Sequence, residues 1–149
     1  MENLKIDIKY FPNKEGICVP DIRVISCGDW IDLRASQSYA IKKGDFDLIK
    51  LGVGMKLPEG YEAIIAPRSS TFKKYGIIQT NSIGIIDNSY SGDNDEWMLP
   101  VIAMRDTVIP IHDRICQFRI IKNQPEVQFN KVEKLNDEDR GGFGSTGTK

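Results

Sequence analysis

No stretch of this sequence approaches the about 20 consecutive apolar residues that a membrane-crossing helix requires, so no membrane partner is expected. Neither sign of charge dominates, with 20 Lys and Arg against 21 Asp and Glu. A chain so nearly neutral is not expected to hold nucleic acid by bulk electrostatics. A small anion can still be bound, but only by a local cluster of donors. Histidine is almost missing, with His112 alone. Cysteine is limited to Cys18, Cys27 and Cys116, an odd number, widely spaced, with no Cys-x-x-Cys pair. That set is poor for a zinc site, and a disulfide framework does not suit the cytoplasm. The three thiols therefore read as small core or near-core residues. Any metal should be a hard one, held by oxygen and by substrate. The start, Met1-Glu2-Asn3-Leu4-Lys5, lacks the basic-then-apolar pattern of a signal peptide, and a cytoplasmic location is expected. Long segments of 3.6-residue periodicity are also absent, which leaves little room for helix.

What remains is a succession of short strands in 149 residues, enough for one domain. Lys5 to Tyr10 alternates as a half-buried strand, and Pro12 to Pro20 is a loop. Trp30 to Ala35 is a short strand. From Phe46 the period is again two, through Leu57. Pro58-Glu59-Gly60 turns the chain, and Tyr61, Ala63 and Ile65 are expected to return as the second half of a hairpin. Ser69 to Tyr75 is the one helical stretch, capped by Ser69 or Ser70 and ended by Gly76. Strands follow at Ile77–Gln79, Ile83–Ile86, Trp97–Met104, Ile115–Ile121 and Val127–Val132. The pattern predicts an all-β sandwich or barrel.

One run ends in an acid, Ile83-Gly84-Ile85-Ile86-Asp87, followed by the turn residues Asn88, Ser89, Ser91 and Gly92 around Tyr90. Asp87 suits a general base if it is rigid, partly desolvated and within reach of water; a plain strand-ending turn also uses these residue types. Pro67-Arg68-Ser69-Ser70-Thr71 sets a guanidinium and hydroxyls where a strand passes into the helix. This suits phosphate, although the serines alone read equally as caps. Gln117, between Cys116 and Phe118, is expected to be an inward amide in need of a partner. Asp113 and Arg114 read as a structural ion pair. Asp32, between Ile31 and Leu33, is either a strand-end acid in water or a carboxylate facing a metal's water shell. Beyond residue 136 the chain becomes polar and glycine-rich, so residues 1–136 form the β domain and 137–149 a tail. The tail reads equally as a frayed end or as an arm that closes over a ligand, with Phe143 able to stack on a flat ring. These groups together are equipment for a triphosphate with a flat base, a water nucleophile and a magnesium ion.

The ordered segments resemble the five motifs of the trimeric all-β dUTP diphosphatase (dUTPase) family, in the branch found in Gram-positive bacteria and their phages. They are Trp30–Ala35, Pro67–Ser70, Asn81–Gly92, Asp113–Gln117 and Arg140–Gly147. The resemblance implies a distorted jelly-roll or barrel-like β sandwich with one short helix, assembled as a homotrimer. It implies hydrolysis of dUTP to dUMP and pyrophosphate, with Asp87 activating the water that attacks the α-phosphorus. Tyr90 would pack under the deoxyribose. Asn81, Gly84 and Ile86, on a hairpin backbone, would read the uracil edge. Arg68, Ser69, Ser70 and Gln117 would hold phosphate oxygens. Mg2+ would be carried by the phosphates, with Asp32 touching its water shell. Phe143 would cover the base, while Arg140, Ser145 and Thr146 would close over the γ-phosphate from a neighbouring chain, with Gly144 also binding substrate.

Two alternatives stay open at this point. A dCTP deaminase of similar fold requires a pocket glutamate, which the Asp87 segment does not offer. A phage-type dUTPase with an added regulatory role would use the acidic 93–96 loop as a docking site.

Overall fold

Short apolar runs, each stopped within a few residues by a turn former, build a chain of strands and one brief helix. The computed structural model describes residues 3–24 and 27–142. In order the strands are β1 (Asp7–Tyr10), β2 (Ile31–Arg34), β3 (Tyr39–Ile41), β4 (Phe46–Lys50), β5 (Val53–Lys56) and β6 (Tyr61–Pro67). The helix α1 (Thr71–Tyr75) follows, then β7 (Ile77–Gln79), β8 (Gly84–Ile86), β9 (Met98–Ala103), β10 (Thr107–Ile109) and β11 (Arg114–Lys122). The all-β architecture expected from the sequence is present, as jelly-roll-like sheets that do not close into a barrel.

The longest strand organises the rest. β11 pairs antiparallel with β2 on one edge and β6 on the other, and β6 continues to β8, so one sheet runs β2-β11-β6-β8. A second sheet, β4-β9-β7, packs with it around the core, and the pairs β1-β5 and β10-β3 complete the structure. Alternation along β9 turns Leu99, Val101 and Ala103 inward, each fully buried, where they meet Ile65, Ile77 and Leu33. Trp97, 0 % exposed, stands edge-on to Phe118 with ring centroids 5.3 Å apart. That geometry suits the electrostatic quadrupoles of two aromatic rings and locks the two sheets together.

Several sequence expectations are corrected. The run from Phe46 to Leu57 is not one strand, because Gly52 has φ 71° and turns the chain from β4, which pairs with β9, into β5, which pairs with β1. Pro58 does form the expected turn, with the Tyr61 N–H donating to the Pro58 carbonyl at 3.1 Å. The strands on either side of it nevertheless join different sheets, so β5 and β6 are no hairpin. β7 and β8 likewise divide between two sheets. The short strands β3 and β10 were not read from the sequence, and Val127–Val132 forms no strand in the isolated chain. Of the thiols only Cys116 is buried; Cys18 and Cys27 are exposed. The helix ends as expected, on Gly76 at φ 65°, whose N–H reaches the Phe72 carbonyl.

A Cβ at Gly52 would meet Val19 Cγ1 at 2.9 Å and Ser36 Cβ at 3.2 Å, in a backbone region that side chains rarely adopt. Gly52→Ala is expected to destabilise the protein by about 2 kcal/mol, read as a fall of several degrees in Tm at fixed protein concentration. An unchanged Tm would show that β4 and β5 can be joined without this bend.

Candidate functional site

The β2-β11-β6-β8 sheet carries the candidate residues from four separate parts of the sequence. Register puts Asp32 of β2 opposite Gln117 of β11, and Gln117 opposite Ala66 of β6, two residues before Arg68. One acid, one amide and one guanidinium thus meet at the same end of three adjacent strands. Arg68 Nε lies 3.2 Å from Asp32 Oδ1, and Arg114 Nη1 lies 3.7 Å from Asp32 Oδ2. Arg114 is therefore the partner of Asp32, and the expected Asp113–Arg114 pair is not formed. Asp113 instead accepts from the Tyr75 hydroxyl at 2.5 Å and faces Lys74 at 3.7 Å. Gln117 is half-buried rather than fully inward, and its amide donates to the Pro67 carbonyl at 3.1 Å.

The turn into α1 shows which hydroxyl does the local structural work. Thr71 Oγ1 accepts from the Arg68 N–H at 2.8 Å and donates to the Ile115 carbonyl at 2.9 Å. Ser70 occupies the N-cap position but makes no side-chain cap bond, and Ser69 is exposed. Capping thus consumes neither serine.

The second group sits around β8. Asn81 and Gly84 lie where the chain leaves β7 through a tight turn, with Ser82 at φ 61° and the Ile83 N–H bonded to the Asn81 carbonyl at 2.6 Å. Gly84 pairs with Ile65, and Ile86 with Ala63. Asp87 follows immediately and is exposed, so the desolvation expected of it is not present in the single chain. Its carboxylate is held instead by Ser89, whose hydroxyl and N–H both donate to Oδ2. Those bonds, the hydroxyl's above all, favour the ionised form and hold the Asp87 pKa below the usual carboxylate value. Asn88 anchors this turn by donating to the Leu57 carbonyl at 3.2 Å, and the Tyr90 hydroxyl donates to the Glu96 carbonyl at 2.9 Å.

The acidic loop that follows is turned inward. Asp95 accepts from the Gly92 N–H at 2.8 Å, and Glu96 from the Gly52 N–H at 2.9 Å. Burial raises the Glu96 pKa above its ordinary value. Of this loop's acids only Asp93 remains exposed.

The two groups are not one pocket within a chain. From the register, Asp87 is level with Glu62 and Asp32 with Ala66. The offset is about 13 Å along the strands and about 14 Å across three strand spacings. A groove of about 400 Å³ includes Asp32 and Arg114, and another of about 210 Å³ includes Ser91 and Asp93; Asp87 lines neither. Arg140 is exposed, and Phe143, Gly144, Ser145 and Thr146 lie outside the described residues. Among the described residues no three His, Cys, Asp or Glu side chains gather into a metal cage. No described helix is long and apolar enough to cross a membrane.

Two residues of interest escaped the sequence reading. Gln79 was read only as part of a strand, yet it has the same parity as buried Ile77, and a polar residue on that face is the signal. Ser89 was read as a turn former, and its Asp-x-Ser spacing to Asp87 is the signal there.

The family model for dUTPase matches residues 30–147. The SPbeta prophage-derived deoxyuridine 5'-triphosphate nucleotidohydrolase YosS of Bacillus subtilis is 56 % identical over 146 residues, covering 98 % of this chain and all of that protein. The deoxyuridine 5'-triphosphate nucleotidohydrolase of Finegoldia magna is 39 % identical, covering 78 % of this chain and 83 % of that protein. Among solved structures, the dUTPase of Staphylococcus bacteriophage 80alpha with dUPNHPP superposes with TM-score 0.76 at 17 % identity, over 98 % of this chain and all of that one. A mutant dUTPase from phage phi11 of S. aureus, whose structure describes coordination of a structural Mg(II) ion, superposes with TM-score 0.72 at 15 % identity, over 90 % of this chain and all of that one. With the first four motifs on or beside one sheet and the family model matching residues 30–147, the chain belongs to the dUTPase family.

Proposed function

We propose that the protein hydrolyses dUTP to dUMP and pyrophosphate in the cytoplasm, in a site completed between the subunits of a homotrimer. The observation that carries this is Asp87: an exposed carboxylate, kept ionised by Ser89, on a turn anchored through Asn88. An ionised, rigid carboxylate at the end of a strand is able to orient a water and take its proton as it attacks the α-phosphorus. Asn81, Gly84 and Ile86 supply the edge that reads the base, and Tyr90, held at its hydroxyl by Glu96, supplies the flat surface under the sugar.

Arg68, Ser69, Ser70 and Gln117 supply donors for the phosphates. The free serine hydroxyls favour this over capping. Asp32 is shared between Arg68 and Arg114, so its charge is largely matched, and no acid cluster accompanies it. That donor set fits Mg2+ carried by phosphate oxygens and water, with Asp32 accepting a hydrogen bond from the water shell. Bound there, the ion would neutralise part of the triphosphate charge. Arg68, held in place by Asp32, would orient the phosphates.

The trimer is supported by two features of the single chain. The separation of Asp32 from Asp87 leaves each half of the site without the other. The segment after β11 also carries exposed apolar side chains, Phe129 at 93 % and Leu135 at 85 %, with no strand partner. Such an extended apolar segment is suited to pairing on a neighbouring subunit. Residues 137–149 would then be the arm that closes the site, with Arg140, Ser145 and Thr146 on the γ-phosphate, Phe143 over the base and Gly144 also against the substrate. In the 93–96 loop Glu96 is held inward by the Gly52 N–H while Asp93 stays exposed.

Asp87→Asn is expected to keep dUTP binding while lowering kcat by about a hundredfold or more, measured as pyrophosphate release. Near-normal turnover would remove Asp87 from the base role. Ser89→Ala should raise the Asp87 pKa toward its ordinary value, because it deletes a bond to the ionised form. The acid limb of the pH profile of kcat/KM should therefore move to higher pH, and an unmoved limb would show that Ser89 does not tune the base. Deleting the residues after Asp139 should leave a folded trimer with little activity; full activity would make the tail merely a frayed end.

A further inference from the structure

A buried amide stands directly behind the residue proposed to read the base. Gln79 is 6 % exposed, among the apolar residues of the core. Its side-chain nitrogen donates in two directions, to the Ile65 carbonyl at 3.1 Å and to Asn81 Oδ1 at 2.9 Å. Its own Oε1 has no partner. An unpaired buried carbonyl oxygen is destabilising, and a leucine or methionine at this position would avoid it. The glutamine is therefore a poor choice for packing alone.

The polarity of these bonds has a direction. A backbone carbonyl only accepts, so the Ile65 carbonyl requires the nitrogen of Gln79, not its oxygen, to face it. The same nitrogen then faces Asn81, and a donor there requires Asn81 to present its oxygen. The Asn81 oxygen is thereby spent, which leaves its NH2, close to Gly84, as the group able to donate elsewhere. Gly84 packs closely against this arrangement. A Cβ there would stand 3.3 Å from Ile65 Cβ, 3.5 Å from the Gln79 nitrogen and 3.6 Å from the Asn81 nitrogen.

We propose that Gln79 is a positioning residue that locks the Asn81 amide with its NH2 toward the base, so that the pocket demands a carbonyl where cytosine carries an amino group. The Ile65 carbonyl sets the sense of the relay, Gln79 transmits it, and Asn81 presents it. Without Gln79, Asn81 is free to turn over and offer an acceptor, which cytosine's amino group satisfies equally well. Discrimination between the two pyrimidines then rests on a group that never touches the nucleotide. The inference depends on the reading of Asn81 as a base-contacting residue.

The test compares Gln79→Met, Asn81→Ala and the double variant in trimeric full-length protein, with dUTP and dCTP as substrates. Gln79→Met is expected to raise KM for dUTP about tenfold with kcat within about twofold, and to narrow the preference for dUTP over dCTP about tenfold. In the Asn81→Ala background the same change should have no further effect. Unchanged KM and preference in Gln79→Met, or equal losses for both nucleotides in both backgrounds, would overturn the proposal. If instead Asn81→Ala leaves KM untouched, it is the reading of Asn81 itself that falls. Should the methionine variant not fold, hydrogen exchange in the unsubstituted protein decides the matter. The Gln79 side-chain amide protons are expected to exchange far more slowly than those of exposed glutamines, and exchange at the exposed rate would overturn the relay.

Discussion

The pairing of β11 along both of its edges is the constraint on which the rest of this protein depends. Its nine residues bind β2 on one side and β6 on the other. Because side chains alternate across a strand, a one-residue slip in either ladder would send every inward residue to the opposite face. Cys116 and Phe118, two residues apart, are both buried, Phe118 against Trp97, and that burial makes the register expensive to change. Once the register is set, Asp32, Gln117 and the start of the Arg68 turn must lie side by side. The ladder with β2 shifts between Arg114 and Cys116, an irregularity close to where Arg114 reaches Asp32.

From that sheet follows the electrostatic division of the site. One end gathers Asp32 with Arg68 and Arg114, a partly exposed network in which the acid orients two guanidinium groups rather than adding net negative charge. Such exposed ion pairs contribute little to stability, so their value lies in holding donors at fixed positions for an anion. The far end, beyond β8, holds a carboxylate kept ionised by hydroxyl and N–H donors. In the proposed reading, a nearly neutral chain meets a highly charged nucleotide with donors in one place and the carboxylate that would deprotonate water in another, brought together by association of subunits.

Much of this was legible beforehand because it depends on local chemistry. Gly76 had to end α1, since it alone in that stretch accepts a left-handed backbone without penalty. Pro58-Glu59-Gly60 had to turn. The Asp87 segment could be recognised because an acid after an apolar run, followed by turn residues and an aromatic, is a local pattern. Other features were not legible because they depend on partners remote in sequence. Nothing near Tyr61 indicates that β6 will choose β11 and β8 over its neighbour β5. Asp113 sits beside Arg114 but bonds Tyr75, because the end of α1 brings the Tyr75 hydroxyl and Lys74 to its carboxylate. Asp95 and Glu96 resembled an acidic surface loop until backbone N–H groups from Gly92 and Gly52 were found to hold them.

Sequence alone determined the class of fold, the turns, the helix end and the identity of the chemically capable residues, because periodicity, backbone preference and side-chain chemistry act over a few residues. Tertiary structure alone decided which strands paired, which hydroxyls were left free, the sense of the Gln79–Asn81 hydrogen bond and the separation of Asp32 from Asp87. Those outcomes are set by burial and by hydrogen-bond satisfaction between segments far apart in the chain, and no local pattern carries that information.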